Sequence, residues 1–128
     1  MKKETENWLK IANNDLKIAK ALFKEGLYLG VIEHSHAALE KLIKGIIVDQ
    51  SNENPPKIHS LLRLVSITLI KNVQEDTKII FEKLDELYFS ARYPEDFDDV
   101  QVKLSKENVT EIFNKITGIY KLLEKNIQ

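Results

Sequence analysis

The run LYLGVIEHSHAALEKLIKGIIVD, residues 27–49, places apolar or small side chains at Tyr28, Val31 and Ile32, Ser35, Ala38 and Leu39, Leu42 and Ile46. Returns of three and four positions are the period of an amphipathic helix, because residues so spaced share one face. Before it, from Glu4 to about Lys24, Trp8, Ile11 and Ala12, Leu16, Ala19, and Leu22 and Phe23 form a second stripe, with lysines, asparagines and an aspartate opposite. Gly26 stands between the two runs, where a residue just past a helix commonly turns left-handed at no cost to glycine. So short a connection forces a tight reversal, and the two helices pair as an antiparallel hairpin.

Toward the C-terminus, Ser51-Asn52-Glu53-Asn54-Pro55-Pro56 breaks the pattern, since tandem prolines remove donors and hold the preceding residue extended. Ile58, Leu61 and Leu62, and Val65 restart a helical period that fades near Asn72. Ile79 and Ile80, Leu84, Leu87 and Tyr88, and Ala91 define a fourth helix that runs into Pro94, and Glu95 to Leu104 reads as acidic and irregular. Ser105 before Asn108-Val109 reads as a helix start. Ile112 and Phe113, Ile116, Ile119 and Tyr120, and Leu123 then make the last stripe, with Gly118 tolerated inside it. There is no internal repeat, low-complexity segment or alternating strand pattern. The sequence therefore predicts an all-α, antiparallel up-and-down bundle of about five helices, four of them long, in a single domain over residues 1–128.

Composition narrows the function. Apolar residues make up 43% of the 128 and charged residues 30%, ordinary values for a chain with one hydrophobic core. A net charge of −1 lacks the basic surplus of a strong nucleic-acid binder, so any nucleotide or RNA contact must come from a local patch. The absence of cysteine excludes disulfides and thiolate metal sites and suits a cytoplasmic protein. No apolar run follows Lys2 and Lys3, and none approaches the ~18 residues of a spanning helix, so neither secretion nor membrane insertion is expected. Four glycines leave no phosphate-cradling loop, and neither HExxH nor Gly-x-Ser-x-Gly occurs.

Five features come in a set order. Trp8 opens the first helix ahead of Ala12 and Asp15-Leu16, and Gly26-x-Tyr28 follows. Next come Ser35-His36-Ala37-Ala38-Leu39-Glu40-Lys41-x-x-Lys44-Gly45, then a proline loop before His59-x-Leu61-x-x-Leu64, and last Tyr88-x-x-Ala91-Arg92-Tyr93-Pro94-Glu95. The series resembles the HEPN family of small helical-bundle domains and covers nearly the whole chain. The resemblance implies an up-and-down bundle that dimerises and works beside a minimal nucleotidyltransferase in toxin–antitoxin pairs. Ribonuclease members of the family carry an arginine followed after four to six residues by a histidine. Here Phe97, Asp98 and Asp99 occupy those positions after Arg92, and Arg63 lacks such a histidine too. Without a group that assists proton transfer near neutral pH, metal-independent RNA cleavage loses its usual support.

Arg92 has two readings. A planar guanidinium at a helix end can hold a phosphate through two parallel hydrogen bonds, or it can pair with Glu95, Asp96 or Asp98 and pin the turn. Glu33, His36, Glu40 and Lys44 can share one side of the second helix, with Glu40 and Lys44 as a favourable i, i+4 pair; no metal site is expected from them. His34 and Ser35 suit a helix contact, and His59 suits local hydrogen bonding in the first turn of the third helix. Trp8, Tyr88, Phe89 and Tyr93 read as core or dimer-interface residues, with stacking of a base on Tyr93 a further possibility.

The resulting expectation is a cofactor-free, homodimeric module that binds a nucleotide or RNA, partnered by a minimal nucleotidyltransferase, with Arg92, Tyr93, His36, Glu40 and His59 as nucleotide- or phosphate-binding residues. The competing readings are a divergent endoribonuclease toxin in which Arg92 works with a non-standard histidine, and a structural dimeric adaptor without ligand.

Overall fold

A computed structural model describes residues 1–127. The hairpin forms as its pattern requires: α1 (Lys3–Lys24) and α2 (Tyr28–Gln50) lie side by side. Gly26 has φ +72°, its amide bonds the Phe23 carbonyl, and the Leu27 amide bonds the Leu22 carbonyl. Those two bonds are the Schellman arrangement, which satisfies the orphan carbonyls of a helix end.

The second helix is the axis of the molecule. It packs against α1, against α3 (Leu61–Ile67), against α4 (Glu75–Ser90) and against α6 (Lys106–Glu124). Covered on several sides, it buries Ile32, Leu39, Leu42, Ile43 and Ile46 almost completely. From α6, Val109, Phe113, Ile116 and Tyr120 close the same core, and the Tyr120 hydroxyl donates to Asn13 Oδ1 of α1 at 2.6 Å. The result is an all-α antiparallel bundle without strands among the described residues, and no helix in it is long and apolar enough to cross a membrane.

Three expectations need correction. The bundle of about five helices holds, with six among the described residues, but the acidic stretch after Pro94 is not irregular: it is ordered as a 3-10 turn (Pro94–Asp96) and a short α5 (Phe97–Lys103). Asp98 and Asp99 sit in the first turn of α5, where negative charge is favoured, and Val100 and Leu104 anchor it to the core. The third helix stops at Ile67 rather than fading near Asn72: the Thr68 hydroxyl donates to the Val65 carbonyl and the Leu69 amide turns to Gln50 Oε1. Such side-chain bonds compete with helical ones. The fourth helix ends at Ser90, so Arg92 lies just past its end.

Candidate functional site

Two side-chain lines face each other across the contact of α2 with α4. On α2, His36, Glu40 and Lys44 follow at four-residue steps, and all three are buried. On α4 and its end, Asp85, Tyr88 and Arg92 follow at three and four. The loop residue His59 joins them just before α3.

Asp85 is the junction. Its carboxylate accepts from the Leu61 amide at 2.9 Å, the Leu62 amide at 3.4 Å and the Ser60 hydroxyl at 3.1 Å, so a residue of α4 caps α3. Ser60 completes the cap by accepting from the Arg63 amide. The same carboxylate lies 3.1 Å from His36 Nε2. Burial alone would push the Asp85 carboxyl up, but the bonds from His36, the two amides and Ser60 outweigh it and hold the group below its ordinary value. An ionised carboxylate can only accept, so His36 Nε2 carries the hydrogen of this bond. That leaves His36 Nδ1 buried with no hydrogen-bond partner among the described residues, with Glu40 Oε1 3.7 Å away.

Glu40 gathers the opposite end. Lys44 Nζ donates to its Oε2 at 2.8 Å, and His59 Nδ1 approaches the same oxygen at 3.1 Å. The Glu40–Lys44 pair thus exists, but it is buried instead of superficial. Glu33 remains exposed and outside the cluster, and no group of three or more His, Asp or Glu among the described residues is arranged to hold a metal ion.

Tyr88 links the two ends. Its ring centroid lies 4.3 Å from that of His36 and 5.5 Å from that of His59, and the Arg92 guanidinium carbon sits 3.4 Å over it. Arg92 also donates through Nη1 to the Tyr88 carbonyl. The expected pairing of Arg92 with Glu95, Asp96 or Asp98 does not form among the described residues, because the guanidinium folds back onto the aromatic ring of the preceding turn. His36, Glu40, His59 and Arg92 are therefore brought together. Tyr93 is not: it is 52% exposed and makes no aromatic contact with the cluster among the described residues. His59 precedes α3 and is not in its first turn. His34 does sit at a helix contact, 3.0 Å from Asp15 of α1, which also accepts from Lys41.

Sequence reasoning passed over Asp85 and the stacking role of Tyr88. For Tyr88 the available signal was its i, i+4 spacing to Arg92, which sets the two on one side; Asp85 takes its partners from the start of α3, which its own spacing does not announce.

The architecture is an antiparallel helical bundle with a cluster of polar side chains where its second and fourth helices meet. The chain belongs to the HEPN domain family, whose model matches residues 5–126. It is also similar in fold to TT1696 from Thermus thermophilus, known from a crystal structure, with a TM-score of 0.80 and 22% identity over 98% of this chain and 100% of that one. A comparison with curated proteins gives no match. Membership supports a nucleotide- or RNA-related module in general, and HEPN domains often dimerise.

Proposed function

We propose that residues 1–128 act as one nucleotide- or RNA-binding unit, a homodimeric partner of a minimal nucleotidyltransferase in a toxin–antitoxin pair, with a phosphate meeting Arg92. The observation that carries the reading is the state of that guanidinium. It is exposed, sits over the Tyr88 ring, and is neutralised by no carboxylate among the described residues. One of its five N–H donors serves the Tyr88 carbonyl, which leaves the others for a planar pair of phosphate oxygens. His36, packed on Tyr88, and Glu40 are buried and support the site from within, while the exposed His59 ring offers a surface for a base or ribose. Tyr93 follows Arg92 in the chain and is exposed, available to a bound base.

Thermal unfolding with ATP, AMP and a short RNA tests it. A ligand that binds only the folded chain stabilises it by about 2.7 kcal/mol at a hundred times its Kd, a rise of several degrees in Tm. The rise is expected for the native chain and absent in Arg92→Ala. No rise with any of the three at millimolar concentration rejects the reading and leaves the dimeric adaptor.

A second reading rests on His59. Its imidazole and Arg92 both pack on Tyr88, which supplies in space the histidine that the spacing after Arg92 lacks. A divergent metal-independent endoribonuclease would cut RNA in EDTA, and the cutting would disappear in both Arg92→Ala and His59→Ala. Intact RNA with the native chain excludes it.

A further inference from the structure

A groove of about 290 Å³ runs between α4, α5 and α6, lined by a different set of residues from the Arg92 cluster. Its apolar lining comes from Ile80 and Leu87 of α4, both nearly buried, and from half-buried Ile112 of α6. Above them converge three lysines from three elements: Lys83 of α4, Lys103 of α5 and Lys115 of α6. Two glutamates also line it, and each is already engaged, Glu86 with Lys103 at 3.3 Å and Glu111 with Lys115 at 3.5 Å. Lys83 forms no ion pair among the described residues.

We infer that this groove is a second binding site, for a small amphipathic anion: a flat apolar body carrying one carboxylate, sulfonate or phosphate. The volume falls at the lower end of small-ligand pockets, which combine an apolar lining with a few placed polar groups. Lys83 supplies a cation that is paired with no carboxylate among the described residues. The two neighbouring pairs are solvent-exposed, and exposed pairs contribute at most about 1 kcal/mol, so an incoming anion can take over Lys103 or Lys115 at small cost. The surplus of one lysine over the glutamates makes the groove selective for a negative ligand over a neutral one. The apolar lining makes it selective for a ligand with a body over a bare ion.

The test is a titration of the labelled full chain, followed by amide chemical shifts, with 2-naphthoate, neutral 2-naphthamide and inorganic phosphate. Saturable shifts with 2-naphthoate are expected at residues 80–87 and 108–115, with at least tenfold weaker binding of 2-naphthamide and of phosphate. Lys83→Glu should weaken 2-naphthoate at least tenfold, while Arg92→Ala leaves it unchanged. The proposal is overturned by naphthoate shifts that do not saturate, by equal binding of the amide or of phosphate, by an unaffected Lys83→Glu, or by loss of binding in Arg92→Ala. None of these outcomes depends on whether nucleotides bind at Arg92.

Discussion

At the scale of single residues, Asp85 carries more structural consequence than any of the side chains that looked functional. Removing its carboxylate leaves the buried His36 Nε2 hydrogen without an acceptor and takes the Leu61 and Leu62 amides of α3 out of their cap at the same time, with only the Ser60 bond to Arg63 left. Asp85→Ala should therefore destabilise the chain by about 2–4 kcal/mol, combining an unmade buried bond with a lost cap, as measured by urea unfolding at pH 7. The pH dependence has a definite sign. The folded carboxyl titrates below its unfolded value, so its contribution is fully present above the ordinary carboxylate range and is lost as pH falls through the folded value. The stability gap between the native chain and Asp85→Asn should accordingly narrow on acidification below that range. A gap that stays constant would show that the charge is not what the site uses. Arg92, His36, Glu40 and His59 were legible because their side-chain chemistry and spacing distinguish them in the sequence. Asp85 was not, because carboxylates on an amphipathic helix are expected on the solvated face and only the docking of α3 against α4 gives this one its partners.

Among the elements, legibility followed the length and clarity of each stripe. The long helices declare themselves through repeated apolar returns, and the α1–α2 reversal through one glycine. The short α5 was hidden because one apolar i, i+4 pair, Val100 and Leu104, is too brief a period to stand out from an acidic segment. The depth of α2 was hidden for a related reason. A stripe predicts one buried face, whereas four neighbours cover this helix, and they bury even Gly45, whose missing side chain lets Trp8 of α1 approach closely enough that an added Cβ would meet the Trp8 Cβ at 3.0 Å. Gly26 tests the legible part. Its φ of +72° is a conformation that costs an L-residue roughly 1–2 kcal/mol, and an added Cβ would meet nothing closer than the Tyr28 hydroxyl at 4.0 Å. Gly26→Ala should then lose about 1 kcal/mol in chemical denaturation through backbone strain alone, with helical content retained. An unchanged midpoint would mean that the reversal relaxes into another turn.

For the whole molecule, the unanswered surface lies in the chain around Arg92 rather than in the core. Phe89, Tyr93 and Phe97 are 56%, 52% and 49% exposed, and they bracket Arg92 along the connection from α4 to α5. Of the two readings of Phe89 and Tyr93, core or dimer interface, the core one does not hold, since both stand in solvent within one chain. Several large aromatics exposed on one short segment mark an interaction surface more often than chance, because aromatic rings are enriched at interface centres. If the proposed homodimer forms through them, light scattering at about 100 µM should give twice the 14.8 kDa of one chain. Phe89→Asp with Phe97→Asp should return it to a single chain with unchanged helical circular dichroism, since neither residue belongs to the buried core. A native chain that scatters as 14.8 kDa at that concentration rejects the homodimer. The place of Arg92 between Phe89 and Phe97 in the chain adds a coupled consequence. A dimer through Phe89 and Phe97 brings two guanidiniums toward its axis, where their like charges repel. A phosphate bound between them offsets that repulsion and shifts the monomer–dimer equilibrium toward dimer, and by linkage dimerisation tightens phosphate binding by the same factor. Measuring the dimer dissociation constant with and without saturating nucleotide should show the shift in the native chain and none in Arg92→Ala. A nucleotide that binds without moving that equilibrium would place the dimer surface elsewhere.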